Sequence, residues 1–286
     1  MSLTTYNRRN MKSYTIQYNE PLGKGTNGTV YKGYWNHHPF IPIAVKQLPI
    51  NKRSLNEISI FKSLQNYASP QGPIPQLYHI EKKDNAYELI MEYIKGGSLT
   101  EWLKQNKILS EQKLLHILRD ITSTLYICHQ KSILYGDLKP GNLIATQNLQ
   151  DPCLLNYTLV KTVDYGMSRL HPPTFFTGRF GTPTFMAPEI YDEKFSYPAD
   201  IWALGICMYI LVTGVYPFVL IKNAVLYLQD YQQVIQTQEP PFNEPRWNVY
   251  SKDLQDLIRA MLNKKGYERP TSKDILNHPL LSSFHF

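Results

Sequence analysis

The stretch YGDLKPGN, residues 135–142, decides how this chain is read, taken together with Asp164-Tyr165-Gly166 further on. Asp137 is a carboxylate able to accept a proton from an incoming hydroxyl. Lys139 sets a cation two residues away, where a phosphoryl group would gather negative charge. Asn142 offers a neutral oxygen and Asp164 an ionised one, the hard donors that Mg2+ prefers. A base, a cation and two metal ligands are the parts that phosphoryl transfer from a nucleoside triphosphate requires. By itself, an Asp-x-Lys-x-x-Asn pattern describes a polar turn equally well, so the weight falls on what surrounds it.

Upstream, residues 14–48 read as extended structure, with Tyr14, Ile16 and Tyr18 alternating with polar neighbours. Within them lies Leu22-Gly23-Lys24-Gly25-Thr26-Asn27-Gly28-Thr29-Val30, whose glycines let the backbone pass close to phosphate oxygens. A G-x-G-x-x-G also marks dinucleotide-binding turns, but there a helix follows the last glycine. Here Thr29-Val30-Tyr31 reads as another strand, so the loop is a hairpin tip that could cover a nucleotide. Ile43-Ala44-Val45-Lys46 comes next, a strand ending in a lysine that either pairs with phosphates or faces solvent.

Ser54 to Asn66 carries Leu55, Ile58, Phe61 and Leu64 at helical spacing. Glu57, three residues after Ser54, suits a capping box or a carboxylate that holds Lys46. The gap of 11 positions from Lys46 to Glu57 is tight for a strand, a turn and a first helical turn. Leu77–Ile80 and Glu88–Ile94 read as two more strands, and Gly96-Gly97 breaks the pattern. Beyond them the period becomes helical, at Leu99–Gln105 and Ser110–Gln130, with Ser98 and Ser110 as N-caps. A mainly β part joined by a short linker to a mainly α part creates a cleft suited to a nucleotide.

Composition narrows the class. The 286 residues, 43% hydrophobic and 19% charged, suffice for two modest lobes or one large domain of ordinary globular character. The net charge of +7 comes from Lys and Arg spread along the chain without a long run, which argues against nucleic-acid binding. Cys128, Cys153 and Cys207 are odd in number and far apart, as reduced intracellular thiols are, and no Cys/His cluster suggests zinc. Residues 1–10 lack the apolar core of a signal peptide, so a cytoplasmic location is expected. The uncharged run Ile201–Ile221 approaches the length of a membrane span. Its Gly205, Thr213, Gly214 and Pro217, with Asp200 at its head, favour a buried helix ending at Thr213-Gly214.

In their order and spacing, GKGTNGTV (23–30), IAVK (43–46), Glu57, YGDLKPGN, DYG (164–166), GTPTFMAPE (181–189), the run from Asp200 to Gly205 and Arg269-Pro270 resemble the eukaryotic protein kinase catalytic domain. The resemblance covers about Tyr14 to Leu281. It implies an α+β, two-lobed fold in one domain, 1–286: a small antiparallel β-sheet lobe with one helix (14–94), a linker (95–98) and a larger, mainly α lobe (99–283). It implies transfer of the γ-phosphate of ATP, with Mg2+ or Mn2+, to Ser or Thr of protein substrates by a monomer that contacts neither nucleic acid nor membrane.

The site residues it implies are these. Leu22, Gly23, Lys24, Gly25, Thr26, Gly28 and Val30 cover the phosphates, which Lys46 grips while held by Glu57. Met91 guards the back of the adenine pocket, the backbones of Glu92 and Ile94 bond adenine, and Ala44 and Ile144 sandwich the ring. Asp137 is the base, Lys139 stabilises developing charge, and Asn142 and Asp164 hold the metal. Glu189 pairs with Arg269, and Asp200 caps the catalytic-loop backbone. Lys139 and Thr182 resemble the serine/threonine type, while Ser98 and Gly141 stand where kinases selecting basic substrates carry glutamates.

Three departures accompany the match. Tyr135 replaces the usual His and Tyr165 the usual Phe. Gly136 replaces the Arg that commonly binds an activation-loop phosphate, and glycine has no donor fork for that. Activity independent of loop phosphorylation at Thr174, Thr177, Thr182 or Thr184 is therefore expected, with a nucleotide-binding pseudokinase scaffold as the alternative. Between Thr146 and Val160 lies a long run whose Leu154, Leu155 and Tyr157 either dock a partner or, the favoured reading, pack the back of the lobe.

Overall fold

The computed structural model describes residues 13–25, 28–105, 107–150, 158–170, 175–177, 181–192, 194–218 and 228–282, the side chains of 228–230 excepted. The first part is a five-stranded antiparallel sheet in the order β1-β2-β3-β5-β4. Its strands are β1 (Tyr14–Gly25), β2 (Gly28–Trp35), β3 (His38–Pro49), β4 (Leu77–Lys82) and β5 (Ala86–Glu92). The described part of the glycine-rich segment ends β1 and begins β2, which pair from Gly25↔Gly28 outward, as the strand-like Thr29-Val30-Tyr31 requires. Alternation along β3 sends Ile43 and Val45 into a small core with Trp35 and Ile90, and Leu48 into the main core on the other face. Lys46 shares parity with Leu48, so it points toward the rest of the protein.

Helix α1 (Lys52–Leu64) corrects two expectations. Its N-cap is Asn51, whose side chain accepts from the Ser54 N–H at 2.9 Å, and no Ser54–Glu57 capping box forms. Asn is as strong a cap as Ser, and starting the helix there winds more than a full turn before Glu57. That turn is how the short connection from Lys46 suffices. The buried stripe is Ser54, Glu57, Ile58, Ile60, Phe61 and Leu64. Leu55 is 50% exposed, one residue off that face. Strand β5 also stops short of Ile94. Its pairing with β3 ends at Ile43↔Glu92, because the next β3 residue is Pro42, which has no N–H to give.

The second part is helical. Ser98 and Glu101 close a capping box on α2 (Leu99–Leu103), and Ser110 caps α3 (Glu111–Gln130). Short strands follow: β6 (Ile133–Leu134), β7 (Leu143–Ala145), β8 (Val160–Thr162) and β9 (Arg169–Leu170), with β6 pairing β9 and β7 pairing β8. Helix α4 (Pro198–Thr213) is the uncharged run, buried almost throughout and ended by Gly214 at φ 77°. Helices α5 (Leu228–Thr237), α6 (Lys252–Met261) and α7 (Ser272–Leu276) complete it. Among the described residues, no helix is long and apolar enough to cross a membrane. Leu154, Leu155 and Tyr157 lie outside those residues. The flanks of their segment are anchored, with Leu149 and Leu159 buried and the Asp120 carboxylate accepting from Leu159 N at 2.6 Å and Val160 N at 3.2 Å.

Inside α3, His116 is 1% exposed. Burial, with Arg119 nearby, lowers its pKa to about 4, so it is neutral at pH 7. The unfolded chain, with a pKa near 6.5, binds that proton more tightly than the native protein. Stability from this group is therefore complete above about pH 6.5 and is lost as pH falls toward 4. Urea unfolding at pH 7.5 and pH 5 should differ by about 2 kcal/mol from this residue alone, a difference that His116→Gln removes.

Candidate active site

Strand β3, helix α1 and the segment after β8 meet at Lys46. Its ammonium donates to Glu57 Oε1 and to Asp164 Oδ1, the latter at 2.8 Å. Burial works to lower the lysine's pKa, but the two carboxylates outweigh it and hold it above the usual value. At Asp164 burial likewise pushes up, and Lys46 with the Gly166 N–H overrides it, keeping the carboxyl below its ordinary range. Lys46 and Asp164 are thus both charged at neutral pH. Asp164 sits at φ 64°, left-handed backbone that is strained for a non-glycine. Its Oδ1 also accepts from Gly166 N at 3.1 Å.

Asp137 anchors a second network. Thr182 Oγ1 donates to Asp137 Oδ1 at 2.7 Å, Lys139 Nζ donates to Asp137 Oδ2 at 2.7 Å, and Lys139 also donates to Thr182 Oγ1 at 2.9 Å. One hydroxyl both gives and receives, as hydroxyls can, so Asp137 and Lys139 are locked to a residue of the GTPTFMAPE segment. Asn142 Nδ2 donates to the Asp137 carbonyl at 2.8 Å and to Oδ2 at 3.2 Å, which leaves its amide oxygen as the group to offer a cation. Val163 N donates to Asn142 O at 2.9 Å, joining this loop to the strand that leads into Asp164. On the phosphoryl transfer that the resemblance implies, removing the Thr182 hydroxyl (Thr182→Ala) should lower kcat about tenfold to a hundredfold, roughly 1.4–2.7 kcal/mol of barrier. Thr182→Ser should recover most of it, with peptide phosphorylation rates as the measure.

Beneath the loop, Asp200 accepts from Tyr135 N at 2.9 Å and Gly136 N at 2.8 Å, as the resemblance implied. Gly136 holds φ 81°, a conformation that favours glycine. Tyr135 Oη donates to Val163 O at 2.5 Å, and the rings of Phe61, Tyr165 and Tyr135 follow one another at centroid spacings of 5.3 and 5.6 Å. An aromatic column therefore runs from α1 to the catalytic loop, and tyrosine serves at both substituted positions. Arg269 makes paired bonds of 2.6 and 2.8 Å to Glu189 with its own side chain fully buried.

The residues expected around a nucleotide fall into place unevenly. Ala44 pairs with Met91 across β3 and β5, and Val30 faces Lys46 across β2 and β3. Ile144 on β7 bridges Ser98 at the end of the linker. A Cβ on Gly28 would sit 2.0 Å from the Gln47 carbonyl oxygen, so the protein itself demands that glycine. A Cβ on Gly23 would meet nothing within 4 Å, so only a close-lying ligand would require a glycine there. Leu22 and Lys24 are exposed, Gly25 ends β1, and Thr26 lies outside the described residues. Ile94, two residues past the end of β5, is half-buried. The Glu92 N–H is taken by Gln76 O at 2.9 Å, so any bond its backbone makes to adenine is through the carbonyl. Its side chain accepts from the buried Lys161 Nζ at 2.8 Å and from Gln76 N at 3.0 Å, an anchor that no short-range pattern announced.

Among the described residues no group of three or more His, Cys, Asp or Glu could hold a metal alone. A sparse, hard pair, Asn142 oxygen and Asp164 carboxylate, suits Mg2+, which keeps waters and binds through one or two carboxylates plus phosphates.

The family described as the protein kinase domain matches residues 16–281. This chain belongs to it. The kinase domain's α+β architecture, a five-stranded antiparallel sheet with one helix and a helical lobe, agrees with that membership. Relatives include the serine/threonine-protein kinase unc-51 of Caenorhabditis elegans, 30% identical over 276 residues, covering 92% of this chain and 31% of that protein. The probable serine/threonine-protein kinase MARK-A of Dictyostelium discoideum is 30% identical over 274 residues, 92% of this chain and 24% of its own length. Calcium-dependent protein kinase 34 of Arabidopsis thaliana is 28% identical over 278 residues, 93% and 49% respectively. The chain thus spans about half, or less, of the length of these relatives.

Proposed function

We propose that this chain transfers the γ-phosphoryl group of ATP to Ser or Thr hydroxyls of proteins. The observation that carries the reading is the Asp137 carboxylate held jointly by Lys139, Thr182 and Asn142, together with a charged Lys46 bonded to Asp164. Residues 14–94, with the linker at 95–98, would hold the nucleotide against residues 99–283. Asp137 would orient the acceptor hydroxyl and take its proton, and Lys139 would meet charge developing on the phosphoryl oxygens. Lys46, fixed by Glu57, would bind the nucleotide's phosphates under the backbone at Gly23, Gly25 and Gly28. Mg2+, held by Asn142 and Asp164, would neutralise charge on the β- and γ-phosphates. The names of unc-51 and MARK-A, as serine/threonine kinases, support the acceptor class.

Incubation with γ-labelled ATP, Mg2+ and a generic basic protein, followed by acid hydrolysis, tests this. Phosphoserine or phosphothreonine is expected. Nucleotide binding with no transfer under any condition would favour the pseudokinase scaffold instead.

The same kinase domain is proposed to act without activation-loop phosphorylation. Gly136 brings no cation to the loop, and the Thr177 carbonyl is already held by Arg169 Nη1 at 3.0 Å. Replacing Thr174 and Thr177 by Ala should leave turnover within about threefold, less than roughly 1 kcal/mol of barrier. A hundredfold loss would contradict it. Ser98 and Gly141 bring no carboxylate to read an arginine before the target, so a peptide library should show no strong basic selection.

A further inference from the structure

Helix α1 reaches the segment after Asp164 through two side chains that the transfer chemistry leaves unused. Arg53 Nε donates to the Gly166 carbonyl at 3.1 Å, with its Nη2 against Met167 Sδ. Asn56 Nδ2 donates to the Ser168 carbonyl at 2.9 Å. Ser168 Oγ in turn donates to the Tyr135 carbonyl at 2.8 Å, two residues before Asp137. From the same helix, Glu57 holds Lys46, and Lys46 holds Asp164. The contacts close a circuit from α1 to the segment, on to the catalytic loop, and back through Asp164 and Lys46. Both outer acceptors are main-chain carbonyls, present in the chain as synthesised. A guanidinium donor makes the stronger kind of hydrogen bond, and an Asn amide offers two N–H groups to a carbonyl.

We propose that Arg53 and Asn56 are positioning residues that keep α1 and Asp164 in the transfer-competent arrangement, a latch closed by carbonyl oxygens where no phosphate is needed. The proposal rests on the phosphoryl-transfer reading and names the regulation of that site. Both residues are spent on main-chain carbonyls and neither is among those assigned to nucleotide or acceptor, so the latch acts on kcat. The Asn56 amide donates to a carbonyl, so an isosteric carboxylate there would set two acceptors face to face and open the latch further than truncation does.

The experiment uses the full chain after phosphatase treatment, comparing Arg53→Ala, Asn56→Ala, Asn56→Asp, Arg53→Lys and the double alanine variant. Expected for the double variant is a fall in kcat of about thirtyfold with peptide KM within about twofold. Arg53→Lys should recover part of the Arg53→Ala loss, and Asn56→Asp should fall below Asn56→Ala. Hydrogen exchange on the same proteins should show amides 54–61 and 164–169 exchanging about tenfold faster, with the midpoint of urea unfolding little changed. A double variant within twofold of wild-type kcat and with unchanged exchange overturns the proposal, as does an equal acceleration of exchange throughout the molecule. If the wild-type protein transfers no phosphate, the kinase reading fails on that result alone, and the exchange pattern still decides the latch.

Discussion

Asp137→Asn should reduce phosphoryl transfer by a thousandfold or more, toward the upper part of the range for losing a positioned general base, while fold and nucleotide affinity stay intact. The amide is isosteric with the carboxylate. It can turn its oxygen to Lys139 and its nitrogen to Thr182, whose hydroxyl is free to accept where it formerly donated. The network that now holds the carboxylate at 2.7 Å from both neighbours would keep its shape and lose only its basicity. Labelled-phosphate transfer, a fluorescent-nucleotide titration and a thermal melt on one preparation separate these effects. An active Asp137→Asn variant would remove the base assigned here.

Lys46→Met should combine the second largest loss of activity with a loss of stability, and the two can be pulled apart. Glu57 is 3% exposed, so taking away its cation leaves a buried carboxylate unpaired, which costs about 3–5 kcal/mol. The Asp164 side chain, 37% exposed, can turn to water and pays little. The double variant Lys46→Met, Glu57→Leu should therefore regain most of the stability, because an apolar pair fills the same space without a buried charge. Transfer should remain down by about a hundredfold or more in both, roughly 2.7 kcal/mol of barrier. Equal chemical-denaturation midpoints for the single and double variants would show that Glu57 does not depend on Lys46.

Which parts could be read in advance follows from the range of the interactions. The strand after Gly28, the αL stop at Gly214 and the caps at Ser98 and Ser110 obey rules acting over a few residues, and the structure has them. Glu57 on Lys46, Asp200 under Tyr135 and Gly136, and Arg269 on Glu189 were legible through resemblance, since local patterns carry no signal across such separations. Local rules also erred where two readings competed. Ser54 was read as the cap, and Asn51, as good a cap three residues earlier, takes that place. Leu55 fits the helical period with Ile58 yet lies beyond the sheet's cover. The grip of Thr182 on Asp137 spans 45 residues and that of Asn56 on Ser168 spans 112. Their types are common in turns and caps, so only the folded chain gives them a role.

Crystals grown with Mg2+ and a non-hydrolysable ATP analogue measure the central claim most directly, the convergence of Lys46, Asp137, Asn142 and Asp164 on one triphosphate. Expected are the Lys46 ammonium on phosphate oxygens, Asn142 and Asp164 on the metal, and the Asp137 carboxylate facing the γ-phosphate. A nucleotide seated away from Lys46, or Asp137 turned from the γ-phosphate, would contradict it.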